Sequence, residues 1–128
     1  MKINGIHHVA IICSDYPKSK HFYTNILGFT VIAETYREAR NSYKLDLKVN
    51  DVEQIELFSF PNPPQRVNNP EACGLRHLAF EVDNVDSTVA YLQSQGVEVE
   101  AIRVDELTSK KFTFFRDPDN LPIEIYQS

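Results

Sequence analysis

Phe114-Phe115-Arg116-Asp117-Pro118-Asp119-Asn120-Leu121-Pro122-Ile123-Glu124-Ile125-Tyr126 reads as a β-hairpin. Two apolar runs flank Asp-Pro-Asp-Asn, where Pro118 presets φ for the turn and Asn120 tolerates a left-handed backbone. In the second strand, alternation puts Ile123 and Ile125 on one face and Glu124 and Tyr126 on the other. A carboxylate therefore sits mid-strand, where a hydrophobe or a solvated edge is the ordinary occupant. Gln54-Ile55-Glu56-Leu57-Phe58 repeats the design earlier in the chain.

Working outward from these two strands reveals a duplicated chain. Ile6 to Cys13 reads as a strand, with His8, Ala10 and Ile12 on one face and His7, Val9, Ile11 and Cys13 on the other. Asp15 is placed to cap a helix with Pro17 in its first turn. Phe22 with Ile26 and Tyr23 with Leu27 form its apolar stripe, and Gly28 closes it. Strands are expected over 29–35, 43–49 and 53–60, the last two joined by a tight turn at Asn50-Asp51. The order then restarts: a strand over 75–82, a helix capped by Asp86 and closed by Gly96, and strands over 97–104, 111–116 and 121–126. His8 precedes Gly28 by 20 residues and Glu56 by 48, while His77 precedes Gly96 by 19 and Glu124 by 47. Each half thus carries one His on its first strand and one Glu on its last.

The 128 residues, 42% of them apolar, are expected to form a single domain with enough hydrophobic material for a core. Module 1 is expected over residues 4–60 and module 2 over 74–128. The connector, 61–73, holds four of the seven prolines and cannot join a central strand. Thirteen basic and eighteen acidic residues are interleaved, for a net charge of −5, which argues against nucleic acid or an anionic membrane as partner. No apolar stretch approaches the ~18 residues of a membrane span and no cleavable signal is evident, so the cytoplasm is the expected compartment. Cys13 and Cys73 are expected to be small buried hydrophobes rather than a disulfide.

Two imidazoles and two carboxylates at equivalent positions make an N2O2 donor set. Such a set suits zinc, nickel, cobalt, manganese or ferrous iron and leaves positions open for substrate. A lone strand His is more often a hydrogen-bonded structural residue; recurrence in both halves is what favours ligation, since burying two carboxylates without a cation is costly. His7 and His21 do not recur and are assigned to the helix side and the helix surface.

The assembled motifs resemble the vicinal oxygen chelate superfamily, which includes glyoxalase I, epimerases, fosfomycin-resistance proteins, extradiol dioxygenases and bleomycin-binding proteins. They are His-Val-Ala-Ile with Asp15 seven residues after its His, Phe-Tyr-x-x-x-Leu-Gly-Phe, Ile-Glu-Leu, Leu-Arg-His-Leu-Ala-Phe-x-Val and Asp-Pro-Asp-Asn-x-x-Ile-Glu-Ile. The resemblance implies an α+β fold in which two βαβββ modules form an eight-stranded, incompletely closed mixed barrel. It also implies a homodimer, and one divalent ion per site held by His8, Glu56, His77 and Glu124. The implied activity is that of a glyoxalase-like lyase or isomerase acting on a small α-hydroxycarbonyl or thioester-like substrate through a metal-bound enediolate. Glu124 is then the general base, with Glu56 as its counterpart. Glyoxalase I carries an Arg and an Asn that bind glutathione where this chain has Ile12 and Phe60, which directs the expectation away from the glutathione hemithioacetal. The alternatives are an extradiol-type dioxygenase and a non-catalytic small-molecule-binding module. Phe58, Phe60 and Tyr126 share the face of the acids by parity and are candidate substrate contacts. Arg37 and Arg40, with Arg66 and Lys111, are candidate cations for an acidic substrate.

Overall fold

The computed structural model describes residues 1–128. The chain divides into two compact units, Met1–Pro64 and Gln65–Ser128, the boundary falling in the Pro-rich connector. Both have the βαβββ order expected from the repeat. The first contains β1 (Val9–Cys13), α1 (Tyr16–His21), β2 (Thr30–Arg37), β3 (Ser42–Lys48) and β4 (Gln54–Ser59). The second contains β5 (Leu78–Val82), α2 (Val85–Ser94), β6 (Arg103–Val104), β7 (Lys111–Arg116) and β8 (Pro122–Gln127). Each unit forms a four-stranded mixed sheet of identical topology, in order β1-β4-β3-β2 and β5-β8-β7-β6. First and last strands pair in parallel and the others antiparallel. The architecture is α+β, and no helix is long and apolar enough to cross a membrane.

Alternation sorts each sheet into two faces. In the first unit Ile11, Cys13, Leu45, Leu47, Ile55 and Leu57 are buried together with Phe22 and Tyr23, which follow α1. Wholly inaccessible residues such as Leu45, Leu47 and Leu57 each contribute on the order of 2 kcal/mol by leaving water. In the second unit Phe115, Ile123 and Ile125 are likewise buried, with Val85, Val89 and Leu92 of α2. Cys13 is buried as expected, whereas Cys73 is exposed, because it belongs to the connector and not to a strand.

The first helix starts as anticipated: Asp15 is extended, its carboxylate accepts from the Lys18 amide, and Pro17 lies in the first turn. It then widens into a π turn over Phe22–Ile26, with the Leu27 amide donating to the Phe22 carbonyl. Gly28 follows with φ +80°, where a side chain would be strained. Tyr16 stacks on Tyr43 of β3 with centroids 4.4 Å apart. Its hydroxyl donates to the Glu34 carboxylate of β2, which also receives the Lys20 ammonium at 2.7 Å. Glu34 therefore ties α1 to the strand at the open edge of its sheet.

Four expectations are corrected. β1 and β5 begin at Val9 and Leu78, so His8 and His77 immediately precede their strands instead of lying within them. Strand parity consequently does not govern His7, which is exposed beside His8 and not directed toward the helix. The α2 cap is Asn84, whose side chain accepts from the Ser87 amide; Asp86 lies in the first turn and pairs with Lys111 at 2.7 Å. The strand expected over 97–104 shrinks to Arg103–Val104 plus one bridge between Val99 and Phe115. Buried Thr113 explains this, for its hydroxyl is shared between the carbonyls of Glu100 and Ala101, at 2.8 and 3.2 Å, occupying groups a continuous ladder would use.

The key hairpin has the expected shape. Asn120 adopts φ +67°, and the Asp117 carboxylate accepts from the amides of Asp119 and Leu121, both at 2.9 Å. At the other tight turn, Asn50 rather than Asp51 is the organiser, its side-chain oxygen accepting from the amides of Val52 and Glu53.

Replacing Asn84 by Ala is expected to lower stability by about 1 kcal/mol in urea unfolding, and Asn84→Ser, which keeps an acceptor, to retain most of it. A second expectation concerns acid. The Lys20 hydrogen bond, and then that of Tyr16, hold the Glu34 carboxyl below its ordinary value of 4.5. The unfolded chain thus binds this proton more readily than the folded one. The contribution is present above the ordinary value and is lost as pH falls through the depressed one. Glu34→Gln should flatten that limb of a stability–pH curve and leave neutral-pH cooperativity intact.

Candidate metal centre

Parallel pairing sets the register of each His and Glu. Ala10 lies opposite Glu56 and Ala79 opposite Glu124, so His8 and His77, each two residues earlier, reach diagonally to the acid on the neighbouring strand. His8 Nδ1 lies 3.2 Å from Glu56 Oε2, and His77 Nε2 lies 3.0 Å from Glu124 Oε2. The repeat therefore recurs as geometry: each unit brings one imidazole and one carboxylate into contact on the sheet face opposite its helix.

These separations suit two functions. They are those of a His–carboxylate hydrogen bond. They also match neighbouring donors on one ion, since ligands at ~2.1 Å and right angles are about 3 Å apart. The first unit adds a donor the repeat did not indicate. His7 Nδ1 is 2.9 Å from His8 Nδ1, and the donor atoms of His7, His8 and Glu56 all lie within 4.8 Å of one another. The His-His dipeptide was the available signal, masked by assigning the two to opposite strand faces. Within each pair, then, the donor chemistry and spacing fit a divalent cation.

The surroundings of the two acids differ. Glu56 is buried, and across the sheet its partner on β3 is Asp46. Lys44 Nζ lies 3.2 Å from Asp46 Oδ1 and 3.7 Å from Glu56 Oε1. The Lys44 ammonium is held above its ordinary range, chiefly by its hydrogen bond to Asp46 and also by the charge of Glu56. In the second unit Phe114 stands opposite Glu124, and its ring meets that of His77 edge-on at 5.1 Å. Glu124 has no Lys or Arg in contact, and only its Oε2, facing His77, has a partner.

The candidate substrate residues separate into groups. Phe58 and Phe60 follow Glu56 on the same face and stack at 6.3 Å. The Arg37 guanidinium lies over both rings, at 4.8 and 5.7 Å, and Arg40 over Phe60 at 5.3 Å, so four of the named residues form one aromatic–cationic cluster. Arg37 also donates to Ser42 Oγ at 2.8 Å. Tyr126 shares the Glu124 face and stacks on Phe112. Its hydroxyl donates to Asp105 at 2.9 Å and also contacts Thr108. Asp105 is in turn held below the usual carboxylate range, first by the Leu107 amide and then by Tyr126. Lys111 is the exception: it pairs with Asp86 on the helix side and does not reach the acid-bearing face. Arg66 is engaged with the segment leading into β5, donating to the carbonyls of Leu75 and Arg76. Ile12, at one of the two glutathione positions, is exposed.

The chain is 61% identical over 127 residues to a Bacillus subtilis (strain 168) protein, the uncharacterized YwkD, covering 99% of each. The solved structure of a glyoxalase family protein from Enterococcus faecalis matches with a TM-score of 0.93 and 47% identity, over 99% of this chain and 100% of that one. A 2-epi-5-epi-valiolone epimerase from Actinomyces sp is 28% identical, over 94% of this chain and 78% of the relative. The model of the glyoxalase/bleomycin resistance protein/dioxygenase superfamily matches residues 5–125. With the duplicated βαβββ sheets and their matching His–Glu pairs, this places the chain in the glyoxalase/bleomycin resistance protein/dioxygenase superfamily.

Proposed function

We propose that the chain is a metal-dependent lyase or isomerase of glyoxalase type that moves a proton on a small α-hydroxycarbonyl or thioester-like compound. The observation that carries this is the pair of His–Glu contacts, 3.2 and 3.0 Å, at equivalent register in both units. His8, Glu56, His77 and Glu124 are the residues that would hold the ion. When bound, a divalent cation supplies Lewis acidity toward a carbonyl oxygen and a template for two adjacent substrate oxygens.

The chain's own residues divide the remaining work. Glu124 takes the proton from the carbon beside the carbonyl, because one of its oxygens is without a partner while Glu56 already faces the Lys44 ammonium. A proton delivered to the opposite face of the same carbon, with Glu56 as the counterpart acid, gives epimerisation, and one delivered to the neighbouring carbon gives isomerisation. The relative named as an epimerase supports a reaction of this kind. Phe114 beside Glu124 and His77 limits access of water to the carboxylate. Glu56, with Lys44 and Asp46, keeps a charged environment around the first pair. Phe60 and Ile12 in place of amide and guanidinium groups support a substrate other than a glutathione conjugate.

Metal analysis after exposure to a panel of divalent ions should find near-stoichiometric binding in the wild type. It should be lost in His77→Ala and in His8→Ala, and retained in His7→Ala. An unloaded wild type would leave the His–Glu pairs as hydrogen bonds and overturn the proposal.

For the proton acceptor, Glu124→Gln should keep most of the metal while slowing turnover by roughly 10²–10⁴-fold. The readout is loss of the α-proton signal from α-hydroxyketones, α-hydroxyaldehydes and thioesters in deuterium oxide. Oxygen consumption in the same assays would instead favour ring-cleaving dioxygenase chemistry.

A further inference from the structure

On the Glu124 face of the second unit lies a cavity of about 310 Å³, at the small end of the range for small-molecule sites. Its walls include Arg103 of β6, Phe114 and Arg116 of β7, and Arg66, Arg76 and His77 from the segment leading into β5. Four guanidinium groups thus surround one concavity in a chain whose net charge is −5. Two carboxylates, Glu71 and Glu100, line the same space.

The pairing leaves positive charge over. Glu71 is taken by Arg76, whose Nε lies 2.5 Å from its Oε1, and Glu100 by Arg103 at 3.3 Å. Arg66 is half-buried and makes only neutral contacts, with Asn68 Oδ1 and the carbonyls of Leu75 and Arg76. Arg116 has neither an ion pair nor a hydrogen bond. Two guanidinium charges are therefore without a counter-ion at this cavity. Two of the four guanidinium groups are also held in place: hydrogen bonds to backbone carbonyls fix Arg66, and Arg103 lies over the rings of Phe112 and Phe114 at 5.0 and 5.4 Å. Planar guanidinium forks match carboxylate and phosphate oxygens.

We propose that this cavity binds the anionic terminus, a carboxylate or a phosphate ester, of the compound whose α-proton Glu124 removes. The proposal rests on the function assigned above and narrows its substrate class to acidic α-hydroxycarbonyl or thioester compounds. His77 borders the cavity and contacts Glu124, so an anion held there leaves the carbon end of a small substrate beside the proton acceptor.

Calorimetric titration of inorganic phosphate, and separately of succinate, into wild-type protein freed of divalent metal tests the subsite on its own. The expected result is saturable binding that weakens as salt is added. Arg103→Ala and Arg116→Ala should each bind about tenfold more weakly, as loss of a hydrogen bond to a charged group implies. Lys111→Ala, which removes the same charge from the helix side, should bind as the wild type does. A preference for phosphate identifies a phosphate ester, and one for succinate a carboxylate. Thermal melts of the variants check that each remains folded. Absence of saturable binding in the wild type, or equal affinity in the Arg103→Ala/Arg116→Ala double variant, overturns the proposal. Failure of the metal reading is distinguishable, because it removes metal from the wild type while leaving the anion titration in place. Conversely, an anion-binding failure leaves the metal content of both arginine variants unchanged.

Discussion

Parallel pairing between the first and last strand of each module is the constraint on which everything else depends. A parallel pair cannot be closed by a short turn, and in each module a helix and two further strands lie between its outer members before the chain returns. That return sets Ala10 against Glu56 and Ala79 against Glu124. With the register fixed, the adjacent His has one acid to meet, and the apolar residues on the opposite parity have one helix to cover. A slip of one residue in either pairing would exchange the two faces and bury the acid under the helix.

Because the duplication preserves this register, the differences between the two copies are confined to what surrounds it. Asp46 and Lys44 flank Glu56, whereas Phe114 and Phe112 occupy the corresponding places near Glu124. One acid is thereby tied into an ion-pair network and the other left with an uncommitted oxygen. Two positions on one strand of each module thus give the two carboxylates different surroundings. The arginines are distributed just as unevenly, since Arg37 and Arg40 lie over Phe58 and Phe60, whereas the second unit surrounds an open cavity with guanidinium groups.

Much of this was legible in the residues. The βαβββ repeat, the Asp15 cap, Gly28 and Gly96 at their helix ends, and the adjacency of His8 to Glu56 and His77 to Glu124 follow from local chemistry and spacing. The failures arose where a side chain acts at long range or where two candidates compete locally. Asn84 and Asp86 are both good caps, and only backbone conformation decides between them. Thr113 reads as an unremarkable strand residue until its hydroxyl is seen on the carbonyls of Glu100 and Ala101. Lys111 looked like a free cation because Asp86, its partner, is 25 residues away in sequence. The second-unit cavity was invisible for the same reason: Arg66 is placed by carbonyls nine and ten residues downstream, and Asn68 by the carbonyl of Asn120.

Thr113 also bears on how the protein behaves among its own copies. A sheet's last strand ordinarily exposes a row of unpaired amides and carbonyls onto which another chain can add. In the second unit a buried hydroxyl draws adjacent carbonyls inward, and only the two residues of β6 remain regular at the edge beyond β7. In the first unit β2 is eight residues long and carries exposed Val31 and Ile32, but its register breaks between Val31 and Ala33. Neither β2 nor β6 offers a long, flat, uninterrupted template, and the opposite edges, β1 and β5, are five residues each. The duplicated chain has thus met one hazard of sheet proteins, templated self-association, by two unrelated devices, a truncated edge and a bulged one.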